Sequence, residues 1–157
     1  MLRIGVLSDT HLTVATDDFK ATLARLFADV DILLHAGDIT SREVYDFLCN
    51  WDVRAVRGNM DAFDLCLLPE HRVEEIGGKR IGIMHGTGGP SGIEKRVATA
   101  FAGVDAIVYG HSHMPLVSRA GGTLLFNPGA FRNPHQGIKT VGIMEIGEEI
   151  RVRHLAV

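Results

Sequence analysis

The sequence predicts an α/β fold in which two β-sheets pack face to face with helices outside them, all in one domain covering residues 1–157. Three observations predict it. Short apolar runs alternate with helical periodicities as far as Phe101, whereas from Pro115 onward only strand-like runs remain. The 157 residues, 46% apolar and 22% charged, match the size and composition of one globular domain.

The elements follow in order. Leu2 to Leu7 is a short apolar run entering Ser8-Asp9-Thr10-His11, a buried strand with polar groups at its carboxyl end. Such ends are where open α/β sheets place ligands. Phe19, Leu23, Leu26, Phe27 and Val30 recur at helical spacing behind Thr16 and Asp17, which can cap the first turn. Asp31 to Leu34 is a second strand, ending in His35-Ala36-Gly37-Asp38. Thr40-x-x-Glu43 then reads as a capping box that starts a helix over 41–50. A third unit runs from Val53 to Val56 into Arg57-Gly58-Asn59-Met60-Asp61, and the stretch to Pro69, without periodicity, is expected to be a loop.

Arg72 to Ile76 and Lys79 to Met84 flank Gly77-Gly78, a pair suited to the positive φ angles of a two-residue hairpin, and the second strand ends on His85. Ser91-x-x-Glu94 is a second capping box, with Ile93, Val97, Ala100 and Phe101 as the apolar face of its helix. Val104 to Tyr109 leads into Gly110-His111-Ser112-His113. Strands are expected at Leu116 to Arg119, Thr123 to Phe126, Thr140 to Ile146 and Ile150 to Leu155, separated by Gly121-Gly122 and Gly147-Glu148.

Composition excludes several classes. No apolar run approaches the roughly 20 residues of a membrane helix, and the N-terminus lacks a secretory signal, so a cytoplasmic protein is expected. Cys49 and Cys66 form no ligand-like pair, so neither a disulfide framework nor a thiolate zinc site is indicated and ordinary buried thiols are expected. A net charge of -3 without a basic cluster removes the usual signature of nucleic-acid binding and favours a small substrate. Homo-oligomerisation stays open.

Histidine carries the functional signal, because five of the eight fall where an apolar run meets a glycine-rich or polar turn. Asp9-x-His11, Gly37-Asp38, Gly58-Asn59, His85-Gly86 and Gly110-His111-Ser112-His113 are five strand-end segments holding potential metal ligands. In the two i, i+2 pairs both side chains point to one side of an extended chain and can face one ion. Nitrogen and oxygen donors without thiolate suit Mn²⁺, Ni²⁺, Zn²⁺, Fe²⁺ or Co²⁺. Charge counting favours two ions. Asp9 and Asp38 offset half of their charge, and a hydroxide with a bound phosphodiester would offset the rest.

The ordered set D-x-H, GD, GN, H and G-H-x-H resembles the calcineurin-like metallophosphoesterase family over nearly the whole chain. Length and the tail Asn127-Pro128-Gly129 are most similar to its small prokaryotic phosphodiesterase branch, whose eukaryotic relatives include a retromer subunit of the same fold. The resemblance implies a four-layer α/β/β/α sandwich of two mixed β-sheets flanked by helices. It also implies a phosphodiesterase in which a hydroxide bridging two divalent ions, Mn²⁺ foremost, attacks a small phosphate ester. Asp9, His11, Asp38 and His113 would hold one ion and Asp38, Asn59, His85 and His111 the other, with Asp38 shared. A non-catalytic interaction scaffold of this fold, or a phosphomonoesterase, is the alternative.

Many family members carry His after the Asn of GNH, where it assists protonation of the leaving group; here Met60 follows Asn59 and cannot donate a proton. Asp61 is expected to join Asn59, His85 and His111 in the catalytic set by orienting Asn59 or a neighbouring histidine. His35 is expected to support ligands rather than bind an ion; His71, His135 and His154 are expected at the surface or in structural roles. Gly86-Thr87-Gly88-Gly89-Pro90 could cradle phosphate on its amides. Arg57 and Arg132 are candidate phosphate contacts set against the ordinary reading of solvated surface arginines.

Overall fold

The computed structural model describes residues 1–61, 65–134 and 137–157. Among the described residues, ten strands form two five-stranded mixed sheets. The first contains β1 (Leu2–Leu7), β2 (Ile32–His35), β3 (Asp52–Ala55), β9 (Thr140–Ile146) and β10 (Ile150–Ala156), in the order β10-β9-β1-β2-β3. The second contains β4 (His71–Ile76), β5 (Lys79–Met84), β6 (Ala106–Val108), β7 (Leu116–Ala120) and β8 (Thr123–Asn127), in the order β4-β5-β6-β8-β7. Helices α1 (Asp17–Leu26) and α2 (Arg42–Leu48) cover the first sheet, and α3 (Ile93–Ala98) covers the second.

Three apolar seams define four layers, the α/β/β/α sandwich. Ile4, Val6, Leu34, Met144 and Ile146 of the first sheet meet Ile81, Ile83, Val108 and Phe126 of the second. On the first sheet's other face Leu7, Leu33, Val141 and Ile143 pack against Phe19 and Leu23 of α1 and Val44 and Leu48 of α2. Ile93 and Val97 of α3 pack on Ile107, Tyr109 and Leu125. Because both faces of β1 are covered, its apolar residues are contiguous instead of alternating with polar ones, as the strand Leu2–Leu7 shows. The hairpin forms as its glycines require, with φ of 57° at Gly77 and 76° at Gly78.

Both capping boxes shift. The cap of α2 is Ser41, whose Oγ accepts from the Val44 N–H at 3.4 Å, while Thr40 stands one residue earlier at φ 72°. The Asp61 carboxylate takes the Thr40 N–H at 2.7 Å, and Glu43 reaches away to accept the Ala15 N–H at 2.9 Å. Tertiary partners thus displaced the local motif by one position. Gly92, left-handed at φ 73°, caps α3 in place of Ser91, and the helix ends at Ala98, leaving Ala100 exposed beyond it. Thr16 caps α1 as expected, its Oγ1 accepting from the Phe19 N–H at 3.2 Å.

Cys49 and Cys66 are both exposed, contrary to the expectation of buried thiols, because one closes the solvent-side end of α2 and the other lies in the 65–70 loop. His71 is exposed with its ring edge toward Phe101, and His154 Nε2 bonds the Asn127 carbonyl at 2.8 Å. His135 falls outside the described residues. Among the described residues no helix is long and apolar enough to cross a membrane.

Gly142 marks a close approach between the strands of the two sheets: a Cβ there would lie 2.5 Å from Phe126 Cε1 of the facing sheet and 3.3 Å from Val6 Cβ of the neighbouring strand. Gly142→Ala is therefore expected to cost ~1–3 kcal/mol of stability through overpacking. Adding Phe126→Leu should recover part of that loss in urea unfolding, and strict additivity of the two costs would show that the contact is not responsible.

Candidate metal centre

Strands β1, β2 and β3 run parallel, and so do β5, β6 and β8. The loops that leave their carboxyl ends meet where the sheets pack: Asp9 and His11 after β1, Asp38 after β2, Asn59 after β3, His85 after β5, His111 and His113 after β6. Hydrogen bonds lock these loops to one another. The Asp9 N–H donates to the Gly37 carbonyl at 3.0 Å, His11 N–H to Asp38 at 3.2 Å, and Gly110 N–H to His85 at 3.0 Å.

The backbone is strained at these positions. Asp9 (φ 53°), His11 (46°), Asp38 (59°), His111 (68°) and His113 (57°) are left-handed, a region that non-glycine residues visit rarely and at a cost of about 1 kcal/mol or more each. Only Thr40 and Asn133 join them among the described non-glycine residues. Neighbouring glycines allow close approach. A Cβ on Gly58 would lie 2.1 Å from Asp38 Oδ1, and one on Gly110 1.8 Å from Ser8 Oγ.

All seven expected donors come together. Asp9 Oδ1 lies 3.0 Å from His113 Nε2, 3.5 Å from His11 Nε2 and 4.0 Å from His85 Nε2. Asp38 Oδ2 lies 3.2 Å from His85 Nε2 and 3.5 Å from His11 Nε2, so it faces an imidazole on each side. His111 Nδ1 lies 3.1 Å from Asn59 Oδ1 and 3.3 Å from His85 Nε2. Asp9, His11 and His113 form one group able to hold a cation, and Asp9, Asp38 and His85 another.

The sequence matches the calcineurin-like phosphoesterase superfamily domain over residues 2–149. This chain belongs to that superfamily. It is 32% identical over 154 residues to a probable metallophosphoesterase of Methanocaldococcus jannaschii, covering 96% of this chain and 79% of the relative. A structure described as a novel archaeal phosphodiesterase shares the fold with a TM-score of 0.75, 24% identity and coverage of 99% and 100% of the two chains. Vps29 from Entamoeba histolytica, 22% identical over 99% of each chain, matches with a TM-score of 0.78 as a single mutant and 0.72 as the wild type complexed with zinc.

The donors of this calcineurin-like phosphoesterase fit divalent cations. Asp9 Oδ1 and His11 Nε2 are buried without a hydrogen-bond partner. Unpaired buried polar atoms are costly, and a cation would satisfy both. Carbonyls turn the imidazoles inward. His85 Nδ1 donates to Ala36 at 2.7 Å, His113 Nδ1 to Asn133 at 2.7 Å and His111 Nε2 to Gly88 at 2.7 Å, so the other nitrogen of each ring faces the centre.

Electrostatics follow from this crowding. Burial alone would push the Asp9 carboxyl up, but His11, His113 and His85 hold it well below the usual carboxylate range. Asp38 is likewise lowered, with burial outweighed by His85 and the Met60 N–H. Burial opposes charge on His85, yet Asp38 and Asp9 raise it above an ordinary imidazole; His113 is raised chiefly by Asp9.

His35 supports the ligands, as expected. It accepts the Gly37 N–H on Nδ1 at 3.1 Å and meets Thr10 Oγ1 through Nε2 at 2.7 Å, and burial pushes its pKa down to about 3. Asp61 differs from expectation. Its carboxylate accepts backbone N–H groups of Gly58 at 2.7 Å, Thr40 at 2.7 Å and Asp38 at 3.0 Å; it orients a backbone crossing, not Asn59 or a histidine, and is a positioning residue. Arg132 donates to the His11 carbonyl at 3.1 Å, and Arg57 pairs with Glu70 at 2.6 Å beside the site.

Sequence reasoning missed the braces. Ser8 Oγ donates to Asp9 Oδ2 at 2.5 Å, and buried Asn127 donates to the Gly110 carbonyl at 3.0 Å and to Ser112 Oγ at 3.1 Å. Only the Asn127-Pro128-Gly129 tail hinted at the second.

Asp61→Ala strands three N–H groups, so unfolding free energy is expected to fall by ~1–3 kcal/mol or more. Cation affinity measured calorimetrically should fall ~10–100-fold, and unchanged affinity would remove the positioning role. Because His85 and His113 carry raised pKa values, their protonation stabilises the metal-free fold at low pH, and that contribution is lost as pH rises through the raised values. A cation must displace those protons. Calorimetric affinity is thus expected to climb with pH across the neutral range, with proton release falling in step; a flat profile would contradict it.

Proposed function

We propose that this phosphoesterase hydrolyses small phosphodiesters with two divalent cations, Mn²⁺ foremost. Asp9, His11, Asp38 and His113 would hold one, and Asp38, Asn59, His85 and His111 the other. One observation carries the reading: a buried carboxylate oxygen, Asp9 Oδ1, has no hydrogen-bond partner and is ringed by imidazole nitrogens from three loops. When bound, the pair supplies positive charge for the phosphoryl oxygens and acidifies water toward neutral pH.

The chain's own residues set orientation and access. Carbonyls of Ala36, Asn133 and Gly88 aim the imidazoles, and Asp61 fixes the backbone that presents Asp38. A cleft of about 360 Å³ opens beside Asn59 and His85, walled by Arg57, Glu70, His71 and Thr87, and it is large enough for one ester substituent. Met60 is 59% exposed and brings no proton to the departing oxygen. An acidic leaving group is therefore preferred, which supports a diester with a good leaving group over an alkyl monoester.

The alternative reading, a non-catalytic scaffold, draws on the likeness to Vps29, which extends to the fold. Seven converging donors argue for chemistry instead. The test is turnover of a bis-aryl phosphodiester with added Mn²⁺, with and without chelator. Metal-dependent hydrolysis that chelator abolishes is expected, at rates well above those for alkyl monoesters. Absence of metal-dependent turnover would favour the scaffold, and equal rates on aryl and alkyl esters would contradict the role given to Met60.

A further inference from the structure

We infer that Arg96, on the solvent side of α3, is a positioning residue that fixes His111 toward the cation site by clasping the 86–91 loop. The inference rests on the two-cation reading. Arg96 Nε donates to the Thr87 carbonyl at 2.9 Å, Nη1 donates to Ser91 at 3.0 Å, and Nη2 donates to Gly89. Three carbonyls of one short loop thus converge on one planar guanidinium. A planar fork of five N–H donors suits such a set, whereas an ammonium offers a point charge on a flexible stem.

Gly88 lies inside the clasp. Its backbone is left-handed at φ 78°, and a Cβ there would sit 3.3 Å from the Arg96 Cζ, so the loop wraps closely around the guanidinium. The consequence lies on the loop's other side. Gly88 presents its carbonyl to His111 Nε2 at 2.7 Å, so that nitrogen carries a proton, and Nδ1 is turned toward Asn59 Oδ1 and His85 Nε2.

The other inward-facing histidines are anchored differently. His85 leans on Ala36, between β2 and Gly37, and His113 on Asn133. His111 alone among the three leans on a glycine-rich loop, and the three loop carbonyls on either side of Gly88 are held by Arg96. Arg96 is itself exposed and belongs to no apolar seam, so the fold does not need it for packing. Its hydrogen bonds order a loop whose consequence is the direction of one imidazole nitrogen.

Two measurements on wild type, R96A and R96K test the role. The first is the ¹⁵N spectrum of the His111 imidazole in the metal-free protein. Wild type should show a protonated, hydrogen-bonded Nε2, and R96A should lose that signature; retention in R96A would overturn the inference. The second is titration with Mn²⁺ followed by the free-ion electron paramagnetic resonance signal. One of two sites should weaken ~10–100-fold in R96A while the other keeps its affinity. Two unchanged affinities would overturn the inference and leave the two-cation reading standing. R96K keeps the charge but not the fork, and wild-type behaviour in both measurements would exclude the clasp. Should wild type take up fewer than two Mn²⁺ while R96A still loses the Nε2 signature, the positioning role survives and the two-cation reading fails.

Discussion

A fully buried carboxylate, Asp9, sits where the carboxyl edges of the two sheets meet, with one oxygen satisfied and the other left bare. Ser8 Oγ and the His111 N–H both donate to Oδ2, whereas Oδ1 faces only imidazoles. Burying a charge without a partner is among the most expensive things a fold can do. Everything around Asp9 is arranged to hold that charge in place. His11, His85 and His113 keep the group ionised despite burial, and the orientations of His85 and His113 are fixed by the carbonyls of Ala36 and Asn133.

That arrangement needs the parallel strands. Two carboxylates, Asp9 and Asp38, and three imidazoles from four loops can converge only if those loops leave their sheets at one edge, and β1, β2, β5 and β6 have matching directions within their sheets. Packing the sheets through Ile4, Val6, Leu34, Ile83, Val108 and Phe126 then brings the edges together. The inter-sheet seam is thus both the core and the scaffold of the site. Close packing transmits displacement, so a change at Gly142 or Phe126 would be felt at the loops above.

Much of this was legible in the sequence because the signals are local. Leu2–Leu7 and the Gly77-Gly78 hairpin declare themselves by apolar runs and positive-φ glycines, and the seven donors by residue type at strand ends. The errors arose where a distant residue overruled a local pattern. Thr40 looks like a cap until Asp61, 21 residues away, takes its N–H and turns it left-handed. Asp61 itself reads as a partner for its neighbour Asn59, since nothing local reveals that its oxygens reach Asp38 and Thr40. Arg96 carries no signal in spacing, because its acceptors are backbone carbonyls that any residue would offer, and Asn127 is hinted at only by its Asn-Pro-Gly tail while its acceptors, the Gly110 carbonyl and Ser112 Oγ, lie 17 and 15 residues away.

The left-handed residues show what the site costs. Five expected ligands at about 1 kcal/mol or more each approach the whole net stability of an ordinary domain, ~5–15 kcal/mol. Asp and His tolerate this region better than most side chains, which reduces the sum. The remainder is offset by three continuous apolar seams and by hydrogen bonds such as those of Asp61 and His35, which hold the strained turns from behind. Strain and two buried atoms without a hydrogen-bond partner, Asp9 Oδ1 and His11 Nε2, destabilise the same few residues. A divalent cation would satisfy both unpaired atoms at once, so part of the cost of folding the site would return as affinity for the ions it would hold.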